Sequence, residues 1–216
     1  MSSAKLKFTC PKCDLEQEFD VFENVNVTLE PAFKKQVLER TLGRFTCKGC
    51  RKSLSVRHSI LYNDVKEKVI IWLPQGETRK PSIEEGSVVM TMMAKAGYRF
   101  RWVTSYNQLV EKIRIFDDRQ DDRALELLKM ELASVRQSGS SQNFFYDGLV
   151  QKAGACRNVR LAEVRKEGPQ FHEMPLEKLQ RHQAIVSQAG NPQSETAKWL
   201  QIDQNYAMET LKNVVR

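Results

Sequence analysis

Thr9-Cys10-Pro11-Lys12-Cys13 and Thr46-Cys47-Lys48-Gly49-Cys50 are the stretches that decide how this chain is read. Two residues between paired cysteines let the backbone turn tightly enough to aim both sulfurs at one ion, with amides of the turn donating to the sulfurs. A tetrahedral thiolate site needs four ligands, and Cys10, Cys13, Cys47 and Cys50 supply all of them. The 33 residues between the pairs exceed the interval of about 15–20 usual in a zinc ribbon. A helix over 31–42 accounts for the excess: Pro31 sits at its first turn, Phe33, Val37, Leu38 and Leu42 recur at helical spacing, and Gly43 stops it. Four thiolates close the tetrahedron and leave no position for water, so the expected cofactor is structural zinc, one ion per chain, rather than a hydrolytic metal. Iron in a rubredoxin-like centre is the alternative. The first knuckle suits it, but the second lacks the proline and neither is followed by glycine. A redox dithiol of the thioredoxin kind would open a helix after a strand, whereas each pair here lies between strand-like segments.

The rest of the composition narrows the classes. A chain of 216 residues suits one large domain or two small ones. With 41% hydrophobic and 28% charged residues it is neither disordered, collagen-like nor coiled coil alone. The longest apolar run, Val69 to Leu73, is strand length, so no membrane insertion is expected. The first ten residues lack the apolar core of a signal peptide, which points to the reducing cytoplasm, where paired cysteines hold metal more often than they form disulfides. The net charge of +7 divides evenly, +4 over residues 1–97 and +3 over 98–216, which weakens a nucleic-acid reading. The local exception is Arg44, Lys48, Arg51, Lys52 and Arg57, with no acid among them. These five are solvated cover that partly offsets four thiolates, or a contact for phosphate or an acidic protein face.

Along the chain, 16–27 has strand character broken at Asn24, 44–46 enters the second knuckle as a strand, and 53–73 reads as a hairpin with its loop at Asn63-Asp64. Residues 74–87 are a loop, and 88–97 fits a helix or a strand equally. Strand 98–104 leads to Ser105, an N-cap for a helix over 106–116 with Leu109, Val110, Ile113 and Phe116 on one face. A second helix runs from Asp121 or Asp122 to about Arg136, and Ser138 to Gln142 is the candidate boundary. Beyond it, strands are expected over 143–152 and 157–166, the latter ended by Gly168-Pro169. A helix over 175–188 and a final helical region over 194–215 complete the chain.

Other chemistry-bearing residues have plain structural readings. Asp117, Asp118, Asp121 and Asp122 end one helix and cap the next, with Arg119 and Arg123 interleaved, rather than binding a cation. Cys156 reads as a small inert residue. His58, His172 and His182 show no ligand spacing, and His58, on an apolar strand face, reads as a satisfied half-buried side chain. No phosphate loop, nucleophile elbow or metalloprotease signature occurs.

Several segments resemble one family: Phe8 to Cys13, Asn26-Val27-Thr28-Leu29-Glu30-Pro31, Arg44 to Cys50, Leu61-Tyr62-Asn63-Asp64, Ile71-Trp72-Leu73-Pro74, Arg101 to Ile113, Ile115 to Asp118 and Asp121-Asp122-Arg123. Over about 1–135 the chain resembles proteins carrying the CpXC domain. That resemblance implies a bacterial or archaeal protein that binds zinc through Cys10, Cys13, Cys47 and Cys50, and it implies no particular activity.

The expected fold class is α+β: a zinc-ribbon-like N-terminal module with an inserted helix, then mixed strands and helices. The expected division is a zinc-binding domain over 1–137 and a small α+β region over 143–216. The expected function is non-enzymatic, a protein-interaction or assembly module whose partner meets the basic group around the second knuckle or the C-terminal region. Nucleic-acid or ribonucleoprotein binding through the same knuckle is the alternative.

Overall fold

A strand that is apolar at every position organises the molecule. The computed structural model describes residues 4–75, 81–137, 140–151, 157–190 and 197–214. Among these, the run Val69–Leu73 forms strand β7 at the middle of a four-stranded sheet ordered β3-β6-β7-β8. β3 spans Asn24–Asn26, β6 Ile60–Asp64 and β8 Arg99–Trp102. β6 and β7 are antiparallel, while the β3–β6 and β7–β8 pairs are parallel. Alternate side chains leave opposite faces of a strand. Val69, Ile71 and Leu73 enter the large core, and Ile70 and Trp72 a smaller one. Burial on both faces is why this strand reads as a continuous apolar run rather than an alternating one.

The smaller core is covered by helix α2, Val88–Lys95, whose Met90 is fully buried against Phe100 and Trp72. Ser87 caps α2, its side chain accepting from the Met90 amide at 3.2 Å; that cap settles helix over strand for this segment. The larger core is covered by α1 (Ala32–Leu38), α3 (Tyr106–Asp117) and α4 (Asp122–Arg136). It continues into an antiparallel sheet of β9 (Phe144–Gln151), β10 (Arg157–Arg165) and β11 (Gly168–Pro175). Helix α5, Leu176–Gln188, packs on α4, as does α6, Gln204–Val214. One cluster of buried side chains thus runs from Val25 to Ala207, and the class is α+β.

Two short hairpins stand apart from these sheets. β1 (Ala4–Thr9) pairs with β2 (Glu16–Val21), and β4 (Arg44–Thr46) pairs with β5 (Ser53–Ser55). The expected hairpin over 53–73 is therefore divided: 53–55 belongs to the second knuckle, and the hairpin proper is β6–β7 with its turn at 65–68. Asn63 and Asp64 lie within β6, not in a loop. In β11, Gly168 and Pro169 open a strand instead of ending one, because Arg165 faces Gly168 across a tight turn and an edge strand tolerates proline. Helix α6 begins only at Gln204. Before it, Trp102 N–H donates to Leu200 O at 3.0 Å and Leu200 N–H to Phe100 O at 3.3 Å, so the chain extends along β8 instead of coiling.

Gly43 joins the parts. Its φ is +78, and a Cβ there would lie 2.9 Å from both the Val56 carbonyl oxygen and the His58 ring. Left-handed backbone costs a side chain roughly 1–2 kcal/mol, and the overlap with fixed backbone adds about 1–3 kcal/mol. Gly43→Ala is expected to lower unfolding free energy by about 3 kcal/mol in a denaturant titration of the metal-loaded protein, whereas a loss below about 0.5 kcal/mol contradicts this account.

Candidate metal centre

The two knuckles are built alike. Cys10 N–H donates to Leu15 O (3.0 Å) and Asp14 N–H to Cys10 O (2.9 Å); Cys47 N–H donates to Lys52 O (2.9 Å) and Arg51 N–H to Cys47 O (3.0 Å). Both turns then need one left-handed residue. With glycine absent there, Asp14 (φ 53) and Arg51 (φ 60) adopt it. The β1–β2 and β4–β5 hairpins bring the turns together, and Phe8, Phe19 and Phe45 seal the space between. Phe19 stacks on Phe45 at 4.5 Å, and Phe8 meets Phe45 edge-on at 5.4 Å.

The ligand-type sulfurs of Cys10, Cys13, Cys47 and Cys50 all lie within 4.8 Å of one another. Cys10 Sγ to Cys50 Sγ and Cys13 Sγ to Cys47 Sγ are each 3.7 Å. A tetrahedron with metal–sulfur bonds of about 2.3 Å places its sulfurs about 3.8 Å apart, so the cluster fits a four-thiolate ion such as zinc, and equally iron. Cys10 and Cys47 are fully buried and Cys13 is exposed. Gln17 braces the second knuckle, donating from Nε2 to Cys47 Sγ at 3.2 Å and accepting from the Lys48 amide at 3.2 Å. The Cys47 thiol is drawn down to about 6, by the Cys50 amide first and then, against burial, by Gln17 and the Gly49 amide. Cys13 goes the other way: the Leu15 amide pulls it down, but desolvation and the neighbouring thiols push it up to about 11. Gly49 is needed for close approach, since a Cβ there would meet Leu15 at 3.1 Å and Cys13 Sγ at 3.3 Å. Gly49→Ala is expected to weaken metal binding several-fold in a competition titration with a chromogenic chelator while leaving the helical circular dichroism intact; unchanged affinity contradicts this packing.

The five basic residues near the second knuckle are all exposed. Lys48, Arg51 and Lys52 are exposed on or just after the turn, whereas Arg44 and Arg57 line a cavity with Arg40, His58 and the start of α3. The aspartates divide as well. Asp121 caps α4, accepting from the Arg123 amide at 2.9 Å, and Asp118 accepts from the Tyr146 hydroxyl at 2.6 Å. Asp117 pairs with Lys34, while Asp122 is buried against Arg101. His172 and His182 each hold a glutamate, Glu163 at 2.8 Å and Glu131 at 2.9 Å. Cys156 lies outside the described residues.

Two features were missed by sequence reasoning. Arg101, Glu111, Lys112, Asp122, Glu126 and Lys129 are all buried. Arg101 grips Asp122 with two bonds of 2.7 and 2.9 Å, Lys112 lies 3.1 Å from Asp122, and Lys129 bridges Glu126 (2.8 Å) and Glu111 (3.2 Å). His58, expected to be half-buried and satisfied, is 6% exposed with no partner for Nε2 among the described residues, and it lies outside any strand.

An α+β chain whose paired knuckles gather four cysteines into a cluster compatible with a metal ion defines the class. The model of the CpXC protein family matches residues 8–129, more than half of the chain. The chain belongs to the CpXC family. No curated protein and no solved structure matches it. No helix among the described residues is long and apolar enough to cross a membrane.

Proposed function

We propose that the chain is a non-enzymatic, zinc-stabilised protein-interaction or assembly module. The observation that carries this reading is the closed set of four sulfurs, with the two opposed pairs 3.7 Å apart: an ion held there has no open position for a substrate or water and serves to fix shape. What it fixes is the second knuckle, whose Lys48, Arg51 and Lys52 are exposed, as is Lys12 on the first. Zinc is favoured over iron because neither knuckle carries the full proline and glycine pattern of an iron-sulfur rubredoxin turn.

Elemental analysis of protein purified without added metal is expected to give about one zinc per chain; a coloured iron centre or no metal overturns the cofactor assignment. The interaction reading is tested by affinity capture from the native host with the full chain and a Lys48→Glu/Lys52→Glu variant. Arg51 is left alone because its left-handed backbone shapes the turn. A stoichiometric protein partner kept by the wild type and lost by the variant supports the module. Nucleic acid is the second reading, favoured by the same exposed cations. Tight binding of random RNA or duplex DNA that falls steeply with salt, and is abolished in the variant, would replace the first reading by the second.

A further inference from the structure

The cavity between the second knuckle and the start of α3 has the chemistry of an anion site. It measures about 460 Å³, within the range of about 300–1,000 Å³ typical of small-molecule sites. Arg40, Arg44 and Arg57 line it, and among the described residues no carboxylate does. Neither Arg44 nor Arg57 has an ion-pair partner among the described residues, although arginines on protein surfaces commonly find one. The N-terminal end of α3 forms another wall through Ser105, Tyr106 and Asn107. The first amides of a helix have no partner within it and carry partial positive charge, which favours anions there. Ser105 satisfies the Gln108 amide at 3.3 Å, and α3 carries no acid in its first turn to use the remaining positive end.

His58 supplies the independent observation. It is one of the residues lining this cavity and is 6% exposed. The Val56 carbonyl, 3.3 Å from Nδ1, can only accept, so Nδ1 donates. That leaves Nε2 buried without a partner among the described residues, a costly arrangement unless a ligand completes it. A phosphate group fits either state of the ring: imidazolium Nε2 donates to a phosphate oxygen, and neutral Nε2 accepts from the hydroxyl of a singly protonated phosphate. Arginine forks match the same group in geometry. Leu42, Val56 and the half-buried ring of Tyr106 add an apolar wall that bare phosphate cannot use.

We propose that this cavity binds the phosphate group of a small organic phosphomonoester, held by Arg44, Arg57, His58 and the N-terminus of α3. The site is separate from the exposed knuckle invoked above, and either assignment can fail alone.

The test is calorimetric titration of the metal-loaded full chain at fixed ionic strength with adenosine 5′-monophosphate, inorganic phosphate and adenosine. Expected are saturable binding of the monophosphate, at least tenfold weaker binding of phosphate, and none of adenosine. Arg44→Gln/Arg57→Gln, at two exposed positions and checked for folding by circular dichroism, is expected to weaken the monophosphate at least tenfold, and Lys48→Gln/Lys52→Gln to leave it unchanged. His58→Gln, checked for folding by circular dichroism, is expected to weaken it also. Absence of saturable binding at about 10 mM, or equal losses in the two double variants, overturns the site. Equal affinity for the two phosphates overturns the organic ligand.

Discussion

Removing the metal, by a strong chelator or by Cys47→Ser, is expected to unfold the two cysteine hairpins while the helices and the sheets behind them stay folded. Among the described residues, the hairpins β1–β2 and β4–β5 share no sheet with any other strand. Two-stranded hairpins alone are marginal in water. Here their apolar interior is Phe8, Phe19 and Phe45, rings in mutual contact but none fully buried, together with the cysteines and the buried Val21 at the end of β2. Aromatic pairs add about 0.5–1.5 kcal/mol each, against an ordering cost of roughly 1–2 kcal/mol for every residue fixed. Structural zinc contributes about 10–16 kcal/mol in small finger peptides, and that binding energy is folding energy. An ion held by the four cysteines would therefore decide whether these two hairpins fold. Amide hydrogen exchange reads this directly: protection over 4–21 and 44–55 is expected to vanish in the metal-free protein, while β7 and α4 remain protected. Retained protection in the hairpins would sink the argument. The pH dependence has a definite sign. Cys47, drawn down to about 6, is mostly thiolate at neutral pH, but Cys13, pushed up to about 11, must give up a proton when it ligates. Apparent metal affinity should therefore rise from pH 6 to pH 8.

That centre was legible because its signal is covalent spacing: two residues between cysteines dictate a turn whatever surrounds it. The helix starts were equally plain, since Ser105 and Ser87 act through local bonds to the third residue beyond. Elements whose limits depend on partners were less so. β5 and β6 form one alternating run in sequence, and only the pairing of Ser53–Ser55 with Arg44–Thr46 separates them. β11 carries two prolines and is largely exposed, so an edge position, invisible in sequence, is what permits it. Trp199 to Ile202 lie extended because Trp199 packs on Phe100 at 5.5 Å and its indole N–H reaches the Ile83 carbonyl at 3.0 Å, contacts from more than a hundred residues earlier in the latter case. For α3, the apolar face Leu109, Val110, Ile113 and Phe116 was correctly placed, yet Glu111 and Lys112 are buried too. A helix covered along its middle by several elements puts part of its polar face inside, and periodicity cannot say that this part is met by α4, β9 and the C-terminal segment. Similarly, Arg40, His58 and Ser105 come from separate stretches, and only the fold brings them to one cavity.

Asp122→Asn is expected to cost about 3–5 kcal/mol, the range for breaking a buried ion pair by removing one partner, and roughly 10 °C in thermal midpoint for a chain of this size. Asp122 is fully buried, chelated by Arg101 through both carboxylate oxygens and approached by Lys112. Lys112 in turn donates to Ile202 O at 2.9 Å, and Glu111 accepts from the Tyr146 amide at 2.7 Å. The network thus ties β8, α3, α4, β9 and the segment before α6 to one another. Neutralising Asp122 removes the carboxylate that Arg101 grips at both oxygens and leaves Lys112, among the described residues, only the longer ion pair with Glu126, at 3.6 Å. The exposed pair Lys35–Glu39, at 3.7 Å with side chains 77% and 54% exposed, gives the contrast: Glu39→Gln should change stability by less than about 0.5 kcal/mol. Burial opposes ionisation of Asp122, but Arg101 and then Lys112 overcome it and hold the carboxyl far below its usual range. The native group therefore stays ionised where the unfolded one, near 3.9, takes up a proton. Its stabilisation is complete above about pH 5 and is lost as pH falls. The gap between wild type and Asp122→Asn, followed by urea unfolding, should be constant from pH 8 to pH 5 and narrow steadily towards pH 3. A gap that is small at neutral pH, or that widens in acid, would show that Asp122 is not the charged centre of this core.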